Sequence, residues 1–149
     1  MSTRCQIGFY KQDETDLLNF ESLIYRHSDG YPGNESGSRY GVLADIVPFL
    51  LWWNKVRGIS DLEYCAARLL QYLCDKQDGK GEEIERPHDN RLTGILGHGI
   101  CKGFHSDIEY FYAIFPDRLE VYNTTTAWLG NLDSKKWEKI RIIRLDKEQ

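Results

Sequence analysis

Apolar and polar positions recur at two different periods along this 149-residue chain, and the changes of period divide it into elements. Thr3–Tyr10 sets Cys5, Ile7 and Phe9 against Arg4, Gln6 and Gly8, a period of two that predicts a strand. Lys11–Asp16 is charged and polar and reads as a loop. Asn19–His27 carries Phe20, Leu23, Ile24 and Tyr25 and predicts a second strand, joined to the first as a loose hairpin. Gly33–Ser38 has loop composition. Residues 41–56 then turn apolar nearly all round, with Val47, Leu50, Leu51 and Asn54 at helical spacing and Phe49, Trp52, Trp53 and Val56 likewise. Asp45 is placed to cap this helix, with Pro48 in its first turn, where a missing N–H costs little. A start nearer Gly41 would put Pro48 inside the helix and predict a kink. Gly58 ends it.

Ser60-Asp61-Leu62-Glu63 is a capping box, in which the Ser hydroxyl accepts from the N–H three residues on and the Glu reaches back. Behind it Leu62, Cys65, Ala66, Leu69, Leu70 and Leu73 form one apolar stripe, so Ser60–Cys74 is a predicted helix. Asp75–Arg91 reads as a long, flexible loop. From Thr93 the period of two returns, with Gly94, Gly97 and Gly99 weakening the strand. Asp107–Phe115 alternates strongly, Pro116-Asp117-Arg118 is a turn, and Leu119–Tyr122 pairs back as a hairpin. Trp128 precedes a turn near Gly130-Asn131, and Lys136–Leu145 predicts a last strand. The expected fold is a single α+β domain spanning 1–149. Its mostly antiparallel sheet has five to six strands, two helices pack on one face, and the order is β-β-α-α-β-β-β-β.

Composition narrows the function classes. An apolar share of 41% suits a globular core, and a net charge of −4 argues against a protein that coats extended DNA. Residues 1–10 hold no apolar run of signal-peptide length. The longest apolar run, Ile46–Trp53, is too short for a membrane span, so the expected location is cytoplasmic, the host cytoplasm if the chain is viral, with no membrane partner. Cys5, Cys65, Cys74 and Cys101 include no C-x-x-C pair and read as small buried hydrophobes. No dinucleotide, P-loop or fixed-spacing metal motif is present, so no cofactor or metal is expected. Trp52, Trp53, Tyr64 and Tyr72 exceed what one face of a small core needs. They suggest a partner surface, either for a second copy in a homodimer or for another protein.

Two stretches carry groups able to do chemistry. In Tyr25-Arg26-His27-Ser28-Asp29-Gly30-Tyr31-Pro32, Arg26 suits an anion, Tyr31 stacking, and His27 with Asp29 polar recognition or acid–base work. The same residues can instead simply build the turn that follows the strand. In His98–Asp107, His98 and Lys102 share one strand face by parity if the strand is unbroken, and His105 and Asp107 sit on the turn that follows. This yields two readings: ligand binding by Arg26, His27, Asp29, Tyr31, His105 and Asp107, or a small phosphodiesterase or metal-dependent hydrolase using His27, His98 and His105.

Thr3-Arg4-Cys5 and Tyr25–Pro32 resemble a set of small, uncharacterised phage and mobile-element proteins. These open on a T-R-C or T-R-S strand and carry a Y-x-H-W-D-G-Y-P segment. Here Ser28 stands where those proteins usually have Trp, which leaves Arg26, His27, Asp29 and Tyr31 of that segment. The hairpin Ile108–Tyr122 is similar in some of them. The resemblance implies a viral accessory protein that binds rather than catalyses. Such a protein antagonises a bacterial defence component, as a protein inhibitor of the anti-CRISPR kind or by holding a nucleotide-like signal.

Overall fold

The computed structural model describes residues 3–27, 29–33, 41–74, 98–125 and 132–146. Ser28, the expected loop at 75–91, the first part of the strand expected from Thr93, Trp128 and the turn near Gly130-Asn131 lie outside the described residues. The elements are β1 (Cys5–Phe9), β2 (Ser22–Arg26), α1 (Val42–Val56), α2 (Leu62–Leu73), β3 (His98–Ile100), β4 (Tyr110–Phe115), β5 (Arg118–Asn123) and β6 (Glu138–Arg144). The α+β architecture is as expected: among the described residues six strands and two α-helices follow in the order β-β-α-α-β-β-β-β.

The strands lie in the order β3-β2-β1-β4-β5-β6. Every neighbouring pair is antiparallel except β1 and β4, which run parallel with Cys5 opposite Tyr110. The alternation read from the sequence sends Cys5, Ile7 and Phe9 of β1, with Tyr112 and Ile114 of β4, to one face of the sheet. There they share a core with both helices. The other face is buried too. Tyr10, Leu23, Phe111, Phe115, Tyr122 and Trp137 cluster there, and Leu17, Phe20 and Phe104 from connecting segments pack over them. This second layer explains why all five residues of β1 are buried.

Each helix starts for a reason visible at its first turn. The stripe Leu62, Cys65, Ala66, Leu69 and Leu73 of α2 is buried as predicted, each fully buried leucine contributing about 1.5–3 kcal/mol. Its cap is Asp61 and not Ser60: the Asp61 carboxylate accepts from the Tyr64 N–H (3.3 Å). Helix α1 begins at Val42, the earlier of the two starts the sequence allows and ahead of the one that Asp45 would cap, because main-chain carbonyls cap it. The Val42 N–H donates to the Tyr31 carbonyl and the Leu43 N–H to the Pro32 carbonyl, both at 2.9 Å. Gly41 makes this possible. It sits at φ 102°, and a Cβ there would lie 2.7 Å from the Pro32 carbonyl oxygen. The helix runs on through Pro48, which lies on its exposed side and has no N–H to offer the Ala44 carbonyl.

Candidate functional site

The stretch Tyr25–Pro32 is divided by the sheet. Successive side chains of β2 point to opposite faces, so Tyr25 and Arg26 part company. Arg26 goes to the helix side, where it is 1% exposed, and its Nη2 lies 2.7 Å from Asp45 Oδ2 of α1. Its register partners are Cys5 on β1 and His98 on β3, so Cys5, Arg26 and His98 form one row across the sheet under the helices. Burial pushes the Cys5 thiol up to about 12, against the opposing pull of Arg26. His98 is 9% exposed. Burial first, and then the Arg26 charge, hold its imidazole down at about 4. Among the described residues neither His98 nitrogen has a hydrogen-bond partner.

The rest of the stretch is a turn locked by its main chain. Asp29 is exposed at φ 57°, a left-handed conformation. The Gly30 N–H donates to the Thr3 carbonyl (2.8 Å), and the Gly30 carbonyl accepts from the Tyr112 hydroxyl (2.7 Å). A Cβ at Gly30 would meet the Thr3 carbonyl oxygen at 2.8 Å and the Cys5 nitrogen at 2.9 Å, both backbone atoms that cannot swing away. Tyr31 and Pro32 then cap α1. The main chain of residues 30–32 is thus held at each position by a hydrogen bond.

On the other face the turn read as His105–Asp107 does reach the first stretch. The Tyr25 ring stacks on His105 (4.6 Å between centroids, 27° between planes), and the His27 ring lies 6.4 Å away. The Tyr25 hydroxyl donates to Asp107 Oδ2 (3.3 Å), and Arg4 Nε lies 3.4 Å from the same oxygen. Burial and the Asp107 charge raise the Tyr25 pKa. Of the expected ligand residues, His27, His105 and Asp107 therefore gather around Tyr25. Arg26 lies across the sheet from them, and Asp29 and Tyr31 belong to the turn. His98 is on the Arg26 side, so the three histidines of the hydrolase reading divide between the two faces. β3 ends at Ile100, so strand parity does not carry from His98 to Lys102.

Gln6 places His105, a role its sequence position on a short strand did not signal. Its fully buried amide donates from Nε2 to the Gly103 carbonyl (3.0 Å) and accepts at Oε1 from the His105 N–H (2.9 Å). Both halves of the amide hold the 101–108 connection to the sheet. Gln6→Ala should cost about 1–3 kcal/mol, because it leaves that connection's polar groups unpaired. Hydrogen exchange is expected to rise at 103–107 while α2 keeps its protection. Unchanged exchange there would rule out Gln6 as the tether.

The aromatic surplus forms a separate surface on the helix pair. Phe49 stacks on Trp53 (5.7 Å, 14°), Trp53 meets Tyr64 edge-on (5.7 Å), and Trp52 lies 6.0 Å from Trp53. Trp53 is buried, but Trp52 is 55% and Val56 53% exposed. The Arg57 guanidinium sits 4.4 Å above the Tyr64 ring, and that of Arg68 lies 5.1 Å from it. Arg68 Nη2 also donates to the Tyr64 hydroxyl (3.3 Å), and this bond leads the effects that lower the Tyr64 pKa.

Among the described residues no group of three or more His, Cys, Asp or Glu side chains is placed to hold a metal ion. No helix among them is long and apolar enough to cross a membrane. The chain matches no family model, no curated protein and no solved structure.

Proposed function

We propose that this protein works by binding, as an accessory protein of the phage kind that its N-terminal motifs resemble, and that it antagonises a host-defence component by direct protein contact. The observation that carries the reading is the aromatic and cationic surface on α1 and α2, where Trp52 stands 55% exposed beside Trp53, Tyr64 and Arg57. Trp, Tyr and Arg are the residue types that dominate binding energy at protein interfaces, because each offers a large contact area that a partner can desolvate. A solitary exposed tryptophan is ordinary; one joined to two further rings and a guanidinium has the make-up of an anchor.

A binding assay tests this directly. A partner retained from a bacterial lysate by the wild-type protein should be lost with Trp52→Ala, a change of about 2 kcal/mol or more in binding for an anchor residue. Circular dichroism of the variant should be unchanged, since Trp52 is mostly exposed. Equal retention by both proteins would sink the reading.

A nucleotide-like ligand is the second reading, favoured by the Tyr25–His105 stack with Asp107 and Arg4 beside it. A base could extend that stack over the outer face of His105. Mass spectrometry of small molecules released from purified protein tests it, with His105→Ala expected to abolish the retained ligand. The same variant, with His27→Ala, tests a hydrolase: phosphodiester turnover lost in both without loss of stability would favour an enzyme over either binding mode.

A further inference from the structure

The binding surface on the helix pair also states the chemistry of its partner. Along α1, Pro48, Trp52 and Val56 recur every four residues and are all exposed, so they form a second apolar stripe opposite the buried one. Lys55 lies beside Trp52 and Val56 on the same exposed side. Arg57 and Arg68 rise over Tyr64 next to Trp53. Among the described residues, no carboxylate lies within ion-pairing distance of Lys55, Arg57 or Arg68; Arg68 bonds instead to Gln71 and Tyr64.

Elsewhere both situations occur: among the described residues Lys102, Lys135 and Lys136 also have no carboxylate at that distance, whereas other cations do. Arg26, Arg118, Lys139 and Arg144 each face a carboxylate at 3.5 Å or less. In a chain of net charge −4, Lys55, Arg57 and Arg68 bring three cations to the flanks of this apolar stripe.

We infer that this surface takes an acidic, amphipathic helical segment of a partner protein, its apolar residues seated on Pro48, Trp52 and Val56 and its carboxylates facing Lys55, Arg57 and Arg68. The inference rests on the protein-contact reading above and adds the partner's charge and shape. An exposed apolar stripe every four residues along α1 matches a helix laid along it. Charge decides between occupants. A second copy would bring the same cations to the same stripe, and like charges facing across an interface are costly. A nucleic acid strand would supply the negative charge, but Val56 and Pro48 offer a phosphodiester nothing, and two of the three cations gather at the Tyr64 ring and not along a continuous track.

The test uses the full chain and three fluorescein-labelled probes. One is a helical peptide with Leu at positions i, i+4 and i+8 and Glu at the flanking positions; the second has Lys in place of each Glu; the third is a 20-nucleotide poly-U RNA. Fluorescence anisotropy should show the Glu peptide binding at least about tenfold tighter than the Lys peptide and weakening as salt rises. With K55E/R57E the preference should reverse. Equal affinity for the two peptides, no binding of either, tighter binding of the RNA, or a preference untouched by K55E/R57E would each overturn the inference. The lysate assay keeps the two conclusions apart. If Trp52→Ala loses the retained partner while K55E/R57E keeps it, the protein-contact reading stands and the acidic partner does not.

Discussion

Replacing Asp45 with alanine is expected to lower the stability of the fold by about 3–5 kcal/mol, a large part of what a domain of this size has. The reason is the position of Arg26. Its guanidinium is 1% exposed, under α1, with the Asp45 carboxylate at 2.7 Å. Removing the carboxylate leaves a buried cation beside the imidazole of His98, in a setting where charge is poorly solvated. The pair itself need not be strongly stabilising, because desolvating both ions offsets most of their attraction. The double variant Arg26→Met, Asp45→Leu should therefore lose less stability than Asp45→Ala alone. Urea midpoints of the three proteins check this. A loss under about 1 kcal/mol for Asp45→Ala, or a double variant worse than the single, would contradict the account. Because α1 also carries Trp52, the same ion pair holds the proposed binding surface against the sheet.

Acid should destabilise the protein well before its carboxylates protonate. His98 titrates at about 4 in the folded protein, against 6.5 for an unburied imidazole. Above pH 6.5 the ring is neutral in both states and stability is full. As pH falls below 6.5 the unfolded chain takes up a proton that the folded chain refuses, so stability declines through the whole window down to about 4. By pH 4.5 the loss amounts to about 2–3 kcal/mol. Glu120 adds to this only lower down. Burial acts to raise its pKa, but hydrogen bonds from Arg118 and Tyr122 and the charge of Lys139 outweigh it, so the net pKa lies below 4.5 and its contribution is lost only under that pH. The control is His98→Leu, which keeps every carboxylate. Between pH 7 and pH 4.5 the wild type should lose about 2–3 kcal/mol more than this variant. Identical losses would assign the acid sensitivity elsewhere.

These two predictions depend on residues that the sequence presents ambiguously, for a physical reason. Periodicity reports which side of an element is apolar. It therefore places β1, β2, β4, β5, β6 and both helices within a few residues. It does not report partners drawn from distant elements. Arg26 reads as a ligand-gripping cation in its own stretch, and only the packing of α1 over β2 brings Asp45 to it. Gln6 reads as a polar residue on a half-exposed strand, and only the segment Gly103–His105 folding over it reveals that both of its amide groups are used. The start of α1 stayed open between Gly41 and Asp45 because carbonyls cap it, and any residue can supply a carbonyl. Grouping the first stretch with His105 and Asp107 in one ligand set implied that the two approach each other, but not that Tyr25, and not Arg26, would make the contact. The exposed stripe Pro48, Trp52 and Val56 was written into the helical spacing, but not which side the core would take.

The parallel seam between β1 and β4 has a consequence for how the chain reaches this fold. Strands β4, β5 and β6 form a meander of short-range hairpins that can pair as soon as they are made. The segment from β1 through α2 and β3 can likewise gather around its own hairpin. Within the sheet the two halves join at the β1–β4 pairing, from Cys5 opposite Tyr110 to Phe9 opposite Ile114, so closing its centre means bringing together strands about 100 residues apart in sequence. A loop of that length costs on the order of 4 kcal/mol of chain entropy before the seam returns any contact. Folding should accordingly be slow for a protein of this size, with the β1–β4 junction forming late. Until it closes, each half presents a bare inner strand edge, β1 on one side and β4 on the other, and these edges are complementary. Two chains caught at that stage could complete each other's sheets, which makes domain exchange across this seam the characteristic hazard of the topology.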